Sequence, residues 1–141
     1  SAESAHRETK ELHRRILGEA QEQVNRLHFR DQYVVVVSGA GWHQGLMGPL
    51  ASRLAARYGR PAIAIALDEQ RGIGSGRSVP VFDLHKTLRQ CEDVLVEFGG
   101  HAQAIFPIFS RAALCCSGNI MKCRLNGGTG IGGLPFFYFG A

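Results

Sequence analysis

The clearest chemical signal in this sequence is a glycine-rich segment with a single arginine, GIGSGRS at residues 72–78. Alternating glycines would let backbone N–H groups approach an anion without a Cβ in the way. Ser75 and Ser78 add hydroxyl donors, and Arg77 adds a guanidinium fork that matches phosphate oxygens. The pattern therefore predicts a phosphate-binding segment made of Gly74, Ser75, Gly76, Arg77 and Ser78.

A second signal follows after one short predicted helix, where Gly99 and Gly100 precede His101. Two glycines allow a tight backbone turn, and an imidazole can donate to an oxyanion or titrate near neutral pH. Each signal also has a structural interpretation. The first segment could be a glycine-rich hairpin with an arginine in solvent, and the histidine could only cap a turn. Neither segment fits a dinucleotide or Walker motif, because Val79 and Pro80 follow the first and no lysine-serine pair is present.

Two buried strands and a helix between them form the predicted scaffold. Residues 33–37 and 62–67 are short apolar runs without polar alternation, as expected of strands covered on both faces. Residues 44–58 have apolar side chains at helical spacing, and Gly59 with Pro61 provides a stop. This strand-helix-strand order predicts a parallel pair with a right-handed crossover.

The remaining elements complete an α/β fold with a mixed, largely parallel sheet and helices on both faces. A long amphipathic helix is predicted over residues 3–28, ahead of the first strand. A third strand is predicted at 73–79. A helix capped by Asp83 is predicted over 84–88, with a continuation at 93–98, and a further strand is predicted at 102–109. Pro107 would place the later part of that last strand at a sheet edge.

Composition limits the possible functions. The 141 residues suffice for one domain, with 45% hydrophobic residues and a formal charge of +4. Residues 1–97 hold 13 basic and 12 acidic side chains, so the excess charge lies in an acid-free tail and gives little support to a basic groove. Four cysteines, at 91, 115, 116 and 123, do not form the paired spacing of a zinc site. No signal peptide or long apolar run is visible, so we expect a cytoplasmic protein without membrane contact.

The order of several segments resembles one known family. GWHQGLMGPLASRLAARYGRPAIAIALD is followed by GSGRS, FDLH and FGGHAQA. This succession is similar to the DHHA1 domain of the RecJ-type single-strand-specific DNA exonucleases, in the DHH phosphoesterase superfamily. The resemblance covers residues 8 to 104. It implies a linker helix at 1–30, a DHHA1-like domain at 31–110 and an atypical glycine-rich tail at 111–141.

The resemblance also implies roles for individual residues. Ser75 and Arg77 match the positions that bind the 5′ phosphate of the DNA strand, and Gly99, Gly100 and His101 match the turn that contacts the substrate phosphate near the metals. His101 is thus the candidate for contacting the scissile phosphate. The implied partners are single-stranded DNA with a 5′ phosphate and a single-strand-binding protein, in DNA repair and recombination.

In this family Mn²⁺ or Mg²⁺ is bound by an upstream DHH lobe, whose motif this sequence lacks. We therefore expect no metal ligand in this chain and no catalysis by it alone. Gln44 stands where the family has proline, which should alter the start of the helix but not the phosphate site. Ile105 and Phe106 replace the family's Ala-Gly step and an acid-free tail follows, so we expect a divergent or frame-shifted end beyond about residue 105. Because Ser1 lies inside a predicted helix, we also expect a piece of a longer protein. Three alternatives stay open: another DHH-type phosphoesterase acting on short oligonucleotides or nucleoside phosphates, a non-catalytic nucleic-acid-binding module, and an inactive remnant.

Overall fold

The computed structural model describes residues 2–26, 34–89, 92 and 95–110. Three helices and five strands occur in this part of the chain, with a 3-10 turn at Gln44–Leu46 before the second helix. In chain order they are α1 (Ala2–Arg26), β1 (Val35–Ala40), α2 (Met47–Tyr58), β2 (Ala62–Leu67), β3 (Arg71–Arg77), α3 (Leu84–Leu88), β4 (Leu95–His101) and β5 (Ala104–Ser110). The expected tail at 111–141 lies outside the described residues.

The five strands form one mixed sheet in the order β1-β2-β3-β5-β4. β1 and β2 are parallel and are joined through α2, which confirms the predicted strand-helix-strand unit. The expectation of a largely parallel sheet is wrong, because the other three pairs are antiparallel. The physical reason is the length of the connections. Asp68 closes the β2–β3 turn by accepting from the backbone N–H groups of Gln70 and Arg71, both at 2.8 Å. Such a short turn can only join antiparallel neighbours.

The sheet separates two apolar cores, with helices on both faces as predicted. Side chains of β1 and β2 alternate between the cores because the side-chain period of a strand is two. On one face Val35, Val37 and Ala64 pack with the buried residues of α1 and α2. On the other face Ile63 and Ile65 pack with Leu84 and Leu88 of α3 and with residues of β5.

Helix α1 is fixed to the sheet by polar contacts as well as by apolar packing. Ile16 and Ala20 are buried in the core shared with α2. The Gln23 amide pairs with the backbone of Ser38, donating to its carbonyl at 2.6 Å and accepting from its N–H at 3.1 Å. Since β1 is an edge strand, this amide satisfies backbone groups that would otherwise lack a neighbouring strand.

Two further expectations are corrected in the last part of the fold. Residues 95–98 are strand β4 rather than a continuation of α3, since pairing with β5 and the β propensity of valine and phenylalanine outweigh the helical pattern. Pro107 lies in β5 between β3 and β4, not at an edge. Pairing of β3 with β5 is interrupted between Ile73–Ile108 and Gly76–Ile105, and Pro107 falls in this interruption, where it needs no N–H for that ladder.

Candidate phosphate site at the start of helix α2

The first turn of α2 lies against the end of β3. An ideal Cβ placed on Gly48, the second residue of α2, would be 2.9 Å from Nη2 of Arg77 and 4.0 Å from Oγ of Ser75. Helix α2 continues directly from the 3-10 turn, in which the backbone N–H of Met47 donates to the carbonyl of Gln44 and the His43 side chain accepts from the N–H of Gly45 at 3.0 Å. The amino end of a helix carries a partial positive charge, which adds to the charge of Arg77 at the first turn of α2. Gly48 therefore lets the guanidinium rest directly on that helix end.

Ser75 and Arg77 share the face of β3 that α2 covers, because they are two residues apart in one strand. Ser75 is only 8% exposed, yet its hydroxyl makes no hydrogen bond to any residue in the described ranges. Arg77 donates from Nη1 to its neighbour's carbonyl, the oxygen of Gly76, at 2.9 Å. No carboxylate within the described residues forms an ion pair with it. The site thus holds a half-buried cation and the hydroxyl of a largely buried serine, and neither has a polar side-chain partner among those residues.

The other predicted members of the segment have different surroundings. Gly74 and Gly76 face the α3 side of the sheet, where a Cβ on Gly74 would be 3.2 Å from the Pro107 ring and one on Gly76 would be 2.5 Å from Ile105. Their absent side chains make room for packing. The Ser78 hydroxyl donates to the carbonyl of Phe82 at 2.7 Å. Contact of these three residues with a phosphate stays a prediction.

The Gly-Gly-His segment forms the end of β4 and the start of a tight hairpin to β5. Gly100 has φ of +120°, and a Cβ there would lie 2.2 Å from the carbonyl oxygen of Ala104, so only glycine fits. His101 is exposed, and its Nδ1 accepts from the backbone N–H of Gln103 at 3.3 Å. In the neutral imidazole the proton then resides on Nε2, which can donate outward. The histidine caps the turn, as the structural interpretation predicted, and still presents a donor.

Sheet register relates the two segments. Arg77 pairs with Ala104 of β5, and Ala104 pairs with His101 of β4, so all three stand in one row on the same face. The backbones of β3 and β4 are separated by two strand spacings, about 10 Å. Helices α1 and α2 contact β1, β2 and β3, and within the described residues Gly99, His101 and Phe106 on the same face of β4 and β5 are exposed. We call this side of β4 and β5, which carries these three residues, the open face.

Two residues of this region were missed by the sequence analysis. Gly48 belongs to the GLMG stretch at the helix start, and its glycine spacing was the available signal. Phe106 lies on the open face with Cζ of Arg77 over its ring, 5.3 Å from the centroid. Sequence reasoning treated this residue only as a departure from the family pattern. Trp42 is buried in the core shared by α1 and α2, and its Nε1 donates to Oε2 of Glu19 at 2.8 Å.

The described residues do not fit the divalent metal that the family implies. No three His, Cys, Asp or Glu side chains in these ranges come together as a possible metal site. The four cysteines lie outside the described residues. No chemical step is therefore assigned to a metal held by this part of the chain. Nor does any helix within the described ranges have the length and apolar character needed to span a bilayer.

Comparison with known proteins agrees with this architecture. The sequence pattern that defines the DHHA1 domain matches residues 31–105. The chain is 47% identical over 76 residues to the single-stranded-DNA-specific exonuclease RecJ of Bacillus subtilis (strain 168), an alignment covering 52% of this chain and 10% of that protein. It is similar in structure to RecJ of Thermus thermophilus in complex with Mg²⁺ and with Mn²⁺. Both superpositions have a TM-score of 0.71 at 26% identity and cover 93% of this chain, but 19% and 18% of the respective chains. This chain therefore spans only a small fraction of the length of these relatives.

Proposed function

The chain belongs to the DHHA1 domain family, and from this premise we propose that it is the substrate-holding part of a RecJ-like 5′-to-3′ single-stranded-DNA exonuclease. In this proposal Ser75 and Arg77 bind the 5′ phosphate of the strand at the start of α2. Residues 31–110 form the binding domain, and the helix before them joins it to the rest of the enzyme.

The observation that carries the proposal is the convergence of Ser75, Arg77 and Gly48 at the first turn of α2. A terminal phosphate is a dianion with three acceptor oxygens. The guanidinium can donate two parallel hydrogen bonds to it, and the unpartnered hydroxyl can donate a third. The dipole of α2 adds to the attraction. A ligand of this kind would give partners to polar groups that have none among the described residues.

His101 takes the second role in the proposal. His101 is exposed and lies in the row of Arg77, and because its Nδ1 accepts from Gln103, Nε2 is the donor of the neutral imidazole. A strand anchored by its 5′ end at Arg77 would pass over the backbone of Gly99 and Gly100, where Gly99 on the open face has no side chain to prevent close approach. His101 would then donate to an oxygen of the scissile phosphate. Phosphate contacts of this type do not depend on base sequence.

Hydrolysis itself belongs to the whole enzyme in this proposal. Mg²⁺ or Mn²⁺, bound by ligands of a DHH lobe, would supply the attacking hydroxide. The 141-residue chain alone is expected to bind DNA without cutting it. A cytoplasmic location, action in DNA repair and recombination, and contact with a single-strand-binding protein stay predictions of the family resemblance.

The test compares fluorescence anisotropy of short single strands that differ only in a 5′ phosphate or a 5′ hydroxyl. The wild-type chain should prefer the phosphate, and Arg77→Ala should remove most of that preference. Loss of a charge-assisted contact worth about 1.5–3 kcal/mol predicts a drop in affinity of about 10- to 100-fold on the phosphorylated strand. Arg71→Ala is the matched control, because it removes the same charge at the other end of β3, about 20 Å away.

The alternatives give different results in the same assay. A nucleoside monophosphate that competes as well as a longer strand favours a phosphoesterase for small substrates. Binding without cleavage by the full-length protein in Mn²⁺ favours a non-catalytic module, and no binding by wild type favours a remnant. Equal loss on both strands in Arg77→Ala would argue against recognition of the phosphate end.

A further inference from the structure

Phe106 is a half-exposed aromatic side chain on an interior strand of the sheet. It lies in β5, which has a neighbouring strand on each side, yet its side chain is 50% exposed. The exposure arises because α1 and α2 cover β1 to β3 and stop short of β5 on this face. A large ring left half in water costs hydrophobic free energy, which a ligand that covered it would recover.

The neighbours of the ring identify the kind of ligand that fits. On the β3 side the Arg77 guanidinium lies over the ring, 5.3 Å from its centroid. On the β4 side the residue paired with Phe106 is Gly99, where a Cβ would meet nothing within 4 Å. The ring therefore has a cation on one side and open space on the other. Glu97, the acidic side chain of β4, is paired with Ile108, one row further from Arg77.

A ligand in which a flat aromatic group is joined to an anion by a short covalent linkage fits these surroundings. An apolar protein partner would bury Phe106 but would also have to cover Arg77, Ser75 and His101, whose polar groups it could not satisfy. A nucleotide carries a planar base close to its own 5′ phosphate, and bases stack on exposed aromatic side chains of sheets that bind single strands.

We propose that Phe106 is the stacking platform for the base of the 5′-terminal nucleotide, whose phosphate is held by Arg77 and Ser75. This deepens the proposed function and rests on it. The base occupies the space above Gly99, and Gly99 is needed there because any side chain would fill that space. Because every base has a flat face, this contact raises affinity without selecting a sequence.

The experiment uses the 141-residue chain and 5′-phosphorylated oligothymidylate labelled at its 3′ end. The matched ligand is the same strand with an abasic 5′-terminal nucleotide. Wild type should bind the abasic strand about 10-fold more weakly. In Phe106→Ala both strands should bind equally, at the level of the abasic strand. Phe106→Trp should keep the base dependence, and Val96→Ala, which trims a 65% exposed side chain of β4, should leave it unchanged.

The proposal is overturned if the base dependence persists in Phe106→Ala. An equal loss of affinity for normal and abasic strands in that variant is one form of this result, and it would mean that the ring only holds Arg77 in place. Failure of the phosphate site has a different signature, since wild type would then bind 5′-phosphate and 5′-hydroxyl strands equally. The abasic comparison on the hydroxyl strand would still decide the role of Phe106.

Discussion

Substituting Gly48 with alanine separates phosphate binding from stability at one position. The new methyl group would lie 2.9 Å from Nη2 of Arg77, whereas non-bonded heavy atoms prefer about 3.5–4.0 Å. The guanidinium is the mobile end of a long side chain, so it moves aside by about 1 Å. That displacement is enough to misalign hydrogen bonds to a phosphate. We expect binding of the 5′-phosphorylated strand to weaken by about 1–2 kcal/mol, or roughly 5- to 30-fold.

Folding stability should change little in the same variant. Alanine in place of a helical glycine favours the helix by about 0.5–1 kcal/mol. Loss of the Arg77–Phe106 contact costs a similar amount, about 0.5–1 kcal/mol for an exposed cation–π pair. The midpoint of urea unfolding should therefore stay near that of wild type. Gly18→Ala in α1 is the control: its Cβ would meet nothing within 4 Å, so it should raise stability and leave DNA binding unchanged.

A double-mutant cycle decides whether the effect of Gly48→Ala acts through Arg77. If it does, the substitution should weaken phosphate binding in the wild-type background and have no further effect in Arg77→Ala. An undiminished effect in the Arg77→Ala background would refute the reasoning, because the alanine would then be disturbing the helix end itself. Unchanged binding in the single variant would show that the guanidinium need not lie on the first turn of α2.

Two further predictions concern the parts of the fold that hold the site. Gly100→Ala should destabilise the chain by at least about 2 kcal/mol in thermal unfolding, because the φ of +120° and the carbonyl of Ala104 leave no room for a Cβ. Gly99→Ala is the control and should be nearly neutral for stability. Equal effects of the two substitutions would contradict the role of backbone geometry at Gly100. Gln23→Ala should lower the free energy of unfolding in urea by about 1–2 kcal/mol, because it removes both hydrogen bonds to Ser38. Asn25→Ala on the exposed side of α1 should leave it unchanged. No change in Gln23→Ala would mean that apolar packing alone fixes the helix.

Local pattern was sufficient to predict most elements of this fold. Helical spacing identified α1 and α2, and the apolar runs identified β1 and β2 as a parallel pair. Strand direction beyond that pair was predicted wrongly. An apolar run does not reveal the direction of its neighbour. The length of the connection does, and a turn of this length requires an antiparallel partner.

Residues 95–98 and Pro107 were misjudged for a related reason. Both belong to the β4–β5 hairpin, whose pairing depends on contacts between segments rather than on the pattern within either one. A short apolar segment with charged neighbours is compatible with helix or strand until its partner is known. The interruption that accommodates Pro107 in β5 likewise arises from the register with β3, which the sequence does not display.

The glycine-rich segment was given two competing interpretations, a phosphate site and a structural hairpin, and the strand period explains why each fits half of its residues. Gly74 and Gly76 face α3, where they make room for Pro107 and Ile105. Ser75 and Arg77 face α2, where their polar groups meet the helix end. Small and polar residues alternate because successive side chains of a strand point to opposite faces, so that one face of β3 packs closely on the α3 side while the other lies against α2. The contact with Gly48 could not be predicted, since it joins residues far apart in the sequence through the packing of α2 on β3. The proposed phosphate site depends on both the alternation within β3 and the placement of α2. Only the alternation can be recognised from the local sequence.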